Sequence, residues 1–246
     1  MRLKCIACEV LLRELCLAAA TSPHTLDLVF TKKDAHDYRD TLRDTVQQEI
    51  DAAEADTVQY DAVLLAYGLC GGGLVDIRAR QTPLILPRAH DCCTLFLGSK
   101  ERFTEHFREC PSQPFSAVGY MERGDTLFHE AGVGSDEMSL RQLIDTYGED
   151  NARYIWETMH PNAQNQPVVF VDVPETTPRS AVEQARERAA AAGRTFKVLP
   201  GSIQLLQRLL HGPWEPDAFL RVEAGQRISG VYDWVKIVEA VDEPDH

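Results

Sequence analysis

The chain has 246 residues, 44% of them hydrophobic and 26% charged, which is enough apolar material for one large α/β domain or two small lobes. A formal net charge of −13, with no basic stripe, argues against a nucleic-acid partner, because phosphate binding needs clustered Lys and Arg. No apolar run approaches the ~20 residues of a membrane helix, and Met1–Leu17 lacks the pattern of a secretory signal, so no membrane association and a cytoplasmic location are expected.

In chain order, "LKCIACEVLLRELCLAAA" predicts a short buried strand running into a helix from near Glu9. "LDLVF" (26–30) reads as a second strand. Tyr38, Leu42, Val46, Ile50 and Ala53 then keep helical spacing on a charged background. "AVLLAYG" (62–68) is apolar without alternation, as a strand covered on both faces should be, and "LILP" (84–87) follows it. "CCTLFLGSKERFTEHF" carries a second helical stripe through Phe96, Phe103 and Phe107. The glycine-rich, acidic interval 122–137 reads as a loop, followed by a helix over 139–159 and a strand at 168–174. "RSAVEQARERAAAAG" predicts a helix, "FKVLPG" a strand, and Ile203–Leu210 an apolar helix.

Strands alternating with helices imply a mostly parallel sheet flanked by helices, a Rossmann-like α/β fold. Residues 1–121 form a thiol-bearing lobe, 138–236 a second lobe or a continuation of the same sheet, and 237–246 an acidic tail expected to fray.

Seven cysteines, odd in number and without a secretory signal, do not make a disulfide framework. Cys8 stands at the carboxyl end of the first strand and Cys70 just past the end of 62–68. Cys92 and Cys93 follow 84–87 in "LPRAHDCC". In an open parallel sheet these ends share one edge, where ligands bind. Three thiols distant in sequence therefore converge, with Glu9, His90 and Asp91 beside them. Cys5, three residues before Cys8 in a strand, points to the other face and reads as core, while Cys16 and Cys110 lack polar company.

Thiolate, imidazole and carboxylate suit zinc, or an iron–sulfur cluster, so Cys8, Cys70 and Cys92 are the candidate metal ligands, with His90 as ligand or acid/base. Three ligands leave a coordination position open, as catalytic zinc sites do. Glu9, His90 and Asp91 are the candidate acid/base groups. Tyr67, Gly71, Gly72 and Arg88 are placed to line the crevice, and Arg88 is suited to an anionic substrate. Asp91 or His90 equally reads as a helix cap. A rival chemistry uses Cys70 as a metal-free nucleophile with His90 as base. The turn Pro200-Gly201-Ser202 reads either as a plain helix cap or as an anion subsite facing Cys70 across the crevice.

"CIACEVLLREL", "AYGLCGGG", "LPRAHDCCTLFLGS", "YGEDNARYI" and "VLPGSIQLLQRLLHGPW" resemble, in that order, the motifs of a bacterial and archaeal family known as domain of unknown function 1638, from Cys8 to about Gly225. The resemblance maps onto Cys8 and Glu9, Tyr67 to Gly71, and Pro87, Arg88, His90, Asp91 and Cys92. Cys93 sits where the family has an apolar residue, which favours Cys92 of the pair. The family's link with corrinoid-dependent methyl transfer implies a role near one-carbon metabolism. The expectation is a metal-dependent transferase or lyase acting on a small molecule, alongside corrinoid or methyltransferase proteins. The alternatives are a metallochaperone-like or corrinoid-system accessory protein and a metal-free cysteine enzyme.

Overall fold

A computed structural model describes residues 1–33, 39–110, 113–123, 144, 148, 149, 167–231 and 233–243. The helix expected over 139–159 and the loop over 122–137 fall almost entirely outside those residues, as does Tyr38.

The first strand, β1 (Arg2–Cys8), turns through a 3₁₀ segment Glu9–Leu11 into α1 (Leu12–Ala19). Then come β2 (Thr25–Thr31), α2 (Arg39–Ala55), β3 (Ala62–Ala66) and β4 (Leu84–Pro87). The α2 stripe Leu42, Val46, Ile50 and Ala53 is buried as its spacing requires, and all five residues of β3 are buried. These strands and β8 (Phe219–Val222) make a five-stranded sheet of order β2-β1-β3-β4-β8, parallel throughout except for β8. The chain leaves β1 towards β2 on one side and returns to β3 on the other. Strand order therefore reverses between β1 and β3, and in open α/β sheets ligands bind outside the carboxyl ends of strands at such a reversal.

The expected single helix after β4 is two: α3 (Cys92–Leu97) and α4 (Lys100–Phe107). Gly98 ends α3 with a left-handed φ of 83°, and the Ser99 hydroxyl accepts the Arg102 amide to start α4. A stripe of phenylalanines survives this break because both helices lay their apolar sides on the same core.

A second sheet, all parallel, has the order β5-β6-β7, with β5 (Phe115–Ser116), β6 (Val168–Asp172) and β7 (Phe196–Pro200). Period-two alternation divides β6 between two cores. Val169 and Val171 join the main core, while Val168 and Phe170 pack with Ala181 and Ala185 of α6 (Arg179–Ala191) and with Val118 of α5 (Val118–Met121). After β7, α7 (Gln204–His211) buries Leu205, Leu206, Leu209 and Leu210.

The acidic end is not a frayed tail in its first half. Val238–Asp242 forms β10 and pairs antiparallel with β9 (Gln226–Gly230), because Ile237 and Val238 are fully buried and anchor it. The protein is thus a mixed α/β structure with a largely parallel main sheet. Among the described residues, no helix is long and apolar enough to cross a membrane.

Candidate functional site

The loop after β3 lies directly on the loop after β4. The Leu69 amide donates to Ala89 O (2.8 Å) and the Cys70 amide to His90 O (2.9 Å). A Cβ at Gly68 would stand 2.5 Å from the Cα and N of Asp91, so only glycine lets the two backbones approach this closely. Past it the chain turns left-handed three times running, at Cys70 (φ 48°), Gly71 (65°) and Gly72 (92°). The glycines adopt this freely. Cys70 does so at a cost of about 1 kcal/mol, the kind of local strain that collects at functional sites. Above Gly72 lies the Arg39 guanidinium, whose Cζ would be 3.3 Å from a side-chain carbon there.

This lacing brings Cys70 against Cys92, the first residue of α3, and the two thiols hydrogen-bond. Cys8, at the end of the neighbouring β1, is close enough for the charge on Cys92 to act on it. A second donor reaches Cys92: the phenol of Tyr120 on α5, braced edge-on by Phe115 and flanked by Phe96. The Tyr67 hydroxyl bonds Thr31 Oγ1 at 2.5 Å, and Tyr67 feels all three thiols.

The electrostatics separate these groups. Cys70 is held well above the usual thiol range, first by its hydrogen bond to Cys92 and then by burial. Cys8 is pushed up by burial and by the nearby Cys92 charge. Burial raises both phenols, so Tyr67 and Tyr120 stay protonated and act as donors. Cys92 moves the other way: the hydrogen bond from Cys70, helped by Tyr120, outweighs its burial and favours the thiolate. Of the three sulfurs, Cys92 is the one whose charged form its neighbours favour. Cys93 and Cys5 are core thiols, fully buried, and burial pushes Cys5 up to about 12. Cys16 is exposed.

The other expected site residues are distributed differently. Glu9 adjoins Cys8, but its carboxylate accepts the Lys33 amide (3.0 Å) and pairs with Lys32 (3.3 Å) and Arg123 (3.7 Å). Burial of Glu9 works against its ionisation, and these partners overcome it. The His90 ring lies between Phe103 (5.2 Å) and Trp234 (4.9 Å), and among the described residues the charge that acts on it is Asp233. Burial lowers its pKa, and its Nε2 has no partner among the described residues. Arg88 is fully engaged in bracing the fold, donating to the carbonyls of Pro216 (2.7 Å), Lys236 (2.8 Å) and Val238. Asp91 caps α3, accepting the Thr94 amide at 3.2 Å, and burial pushes its carboxyl up to about 6.

Ser202 belongs to the turn after β7, in the second sheet. Its amide donates to Phe96 O (2.9 Å), and its hydroxyl accepts the Gln204 amide (3.2 Å). It packs against Gly98, at the far end of α3 from Cys92, and serves as a cap. Tyr120 was not legible in the sequence. It arrives from the second sheet, and only the docking of α5 on the 3₁₀ segment Glu9–Leu11 brings it to the thiols.

The three sulfurs are soft donors of the kind zinc takes, but their placement is not a ligand cage. Among the described residues, no group of three or more His, Cys, Asp and Glu is arranged to hold a metal ion. What the arrangement supplies is a thiol whose ionised form is favoured, beside a second thiol and a phenol, at the strand-order reversal.

No curated protein and no solved structure matches the chain. A family model described as a protein of unknown function, DUF1638, matches residues 30–210, a span that includes Tyr67, Cys70, Cys92 and Tyr120 and leaves Cys8 just outside. That span is well over half of the chain, and the chain belongs to the DUF1638 family.

Proposed function

We propose that the protein is a cysteine-dependent group-transfer enzyme in which the Cys92 sulfur attacks an electrophilic centre of a small-molecule substrate, with Cys70 and Tyr120 as its hydrogen-bond donors. The observation that carries this reading is the convergence of those two donors on one sulfur. Of the metal-free alternatives, it replaces Cys70 by Cys92 as nucleophile and His90 by Tyr120 as the assisting group. The position supports it too, since a Rossmann-like sheet holds small ligands where strand order reverses. An activated alkyl group, the electrophile of methyl-transfer chemistry, fits a soft sulfur nucleophile.

The three neighbouring thiols favour a second reading, a zinc site on Cys8, Cys70 and Cys92, which requires their sulfurs to close on a common point. One experiment addresses both. Alkylation by iodoacetamide at pH 7, mapped by mass spectrometry, should modify Cys92 faster than Cys70, Cys8 or Cys93. Tyr120→Phe should slow that reaction about tenfold, the worth of one charge-assisted hydrogen bond. Equal or slower labelling of Cys92 than of buried Cys93 would overturn the nucleophile. Protection of all three thiols by one equivalent of zinc would establish the metal reading instead.

A further inference from the structure

We propose that Cys70 and Cys92 are a hydroperoxide-sensitive thiol pair that closes to an intramolecular disulfide. This inference uses the Cys70–Cys92 contact and not the turnover proposed above.

The geometry is local and specific. The two loops are held backbone to backbone by the Leu69–Ala89 and Cys70–His90 hydrogen bonds and by the Gly68–Asp91 approach, which sets Cys70 and Cys92 on facing loops. A disulfide needs Cα atoms within roughly 7 Å and sulfurs about 2 Å apart. The second condition asks one residue to move towards the other. Cys70 can do so, because it is followed by Gly71 and Gly72 and lies outside β3. Cys8 cannot, because it is the last residue of β1, paired on one side with Thr31 of β2 in a fully parallel ladder. Cys93, the other candidate, is buried on the core side of α3. Cys70 is also half-buried rather than buried, which gives a small oxidant its way in.

The chemistry balances with one hydroperoxide. The Cys92 sulfur, as thiolate, attacks the terminal peroxide oxygen: an S–O bond forms, the O–O bond breaks, and the departing hydroxide leaves as water with the proton that the Cys92 thiol gave up on ionising. The Cys70 thiol then attacks the sulfenic sulfur: the S–S bond forms, the S–O bond breaks, and the second hydroxide leaves as water with the Cys70 proton. Two thiols are oxidised by two electrons, and one hydrogen peroxide is reduced to two waters.

The test uses the full chain carrying Cys16→Ser, which removes the exposed thiol, reduced and freed of metal by chelation. One equivalent of hydrogen peroxide is added, remaining thiols are blocked, and a non-reducing digest is mapped by mass spectrometry. The expected result is a Cys70–Cys92 cross-link, restored to free thiols by dithiothreitol. Cys8→Ser should form the same cross-link, and Cys70→Ser should stop at a sulfenic acid on Cys92. Cross-linking of Cys92 to Cys8 would overturn the inference, as would sulfinic acid on Cys92 with Cys70 still free. Either result leaves the alkylation test of the nucleophile untouched, and slow alkylation of Cys92 with the cross-link still formed by peroxide would overturn the turnover reading alone.

Discussion

Two glycine turns at strand ends, Gly68 to Gly73 after β3 and Gly201-Ser202 after β7, look alike in the sequence, each lying between an apolar strand and an apolar stretch. The structure builds them for different reasons. At the first, Gly68 lets another backbone in, and the following residues turn left-handed to present a thiol. At the second, Gly201 makes room for packing: a Cβ there would meet Val173 Cγ2 at 2.6 Å and Phe96 O at 2.7 Å. No thiol or carboxylate is presented by the second turn, and its serine bonds only to backbone. A glycine cluster therefore marks a crowded or left-handed backbone, and the chemistry depends on which side chain that backbone carries.

The largest effect that separates the two turns should come from the glycines themselves. Gly68→Ala puts a methyl into the Asp91 backbone, which has no flexible end to give way, and should cost about 3 kcal/mol. Gly201→Ala meets a valine methyl as well as a carbonyl and should cost about 1–2 kcal/mol. Urea denaturation measures both. The sharper contrast is in thiol chemistry: Gly68→Ala should abolish the Cys92 rate advantage in alkylation, and Gly201→Ala should keep it in the molecules that remain folded. Equal loss in both would mean that the turns act as one unit.

Much of the first turn's surroundings was legible. β3 announced itself by an apolar run without alternation, and the parallel order it implied put Cys8, Cys70 and Cys92 at one edge of the sheet. Cys5 fell to the core by the two-residue period of β1. The directions of loop side chains were not legible, because they depend on φ and ψ at single residues. His90 lies two residues from Cys92, yet its ring turns to Phe103 and Trp234. Arg88 looked like a substrate clamp because nothing in sequence reveals three carbonyls from Pro216, Lys236 and Val238 converging on it. β8 escaped notice because four residues, buried but for Arg221 and entering antiparallel at an otherwise parallel edge, leave too short a pattern.

An intermediate effect concerns the groups that start the helices after each turn. Burial of the Asp91 carboxyl raises its folded value from 3.8 to about 6, so the native state holds the proton more tightly than the unfolded chain. The contribution to stability is therefore full below about pH 4 and is lost as pH rises through about 6. Asp91→Asn keeps a cap acceptor without the buried charge. Its stability should exceed that of the parent by about 2 kcal/mol at pH 8, with the gap closing towards pH 4. Thermal unfolding across that range measures it. A constant gap would mean that the carboxyl does not titrate there.

The smallest effect belongs to the second turn and bears on whether it has any share in the chemistry. The Ser202 hydroxyl accepts the Gln204 amide at 3.2 Å, in a half-buried position beside Gly98. Ser202→Ala should then cost about 0.5–1 kcal/mol, as loss of a capping hydroxyl does. Its amide bond to Phe96 O is backbone and survives the substitution. Because Ser202 meets the end of α3 opposite to Cys92, the loss should not travel to the thiols. Alkylation of Cys92 should proceed at the parent rate, and peroxide should still join Cys92 to Cys70. A Ser202→Ala chain that unfolds at a lower temperature with unchanged thiol kinetics confirms that this turn is a cap alone. A change in thiol rate with unchanged stability would return the serine to the crevice and require α3 to transmit strain along its six residues.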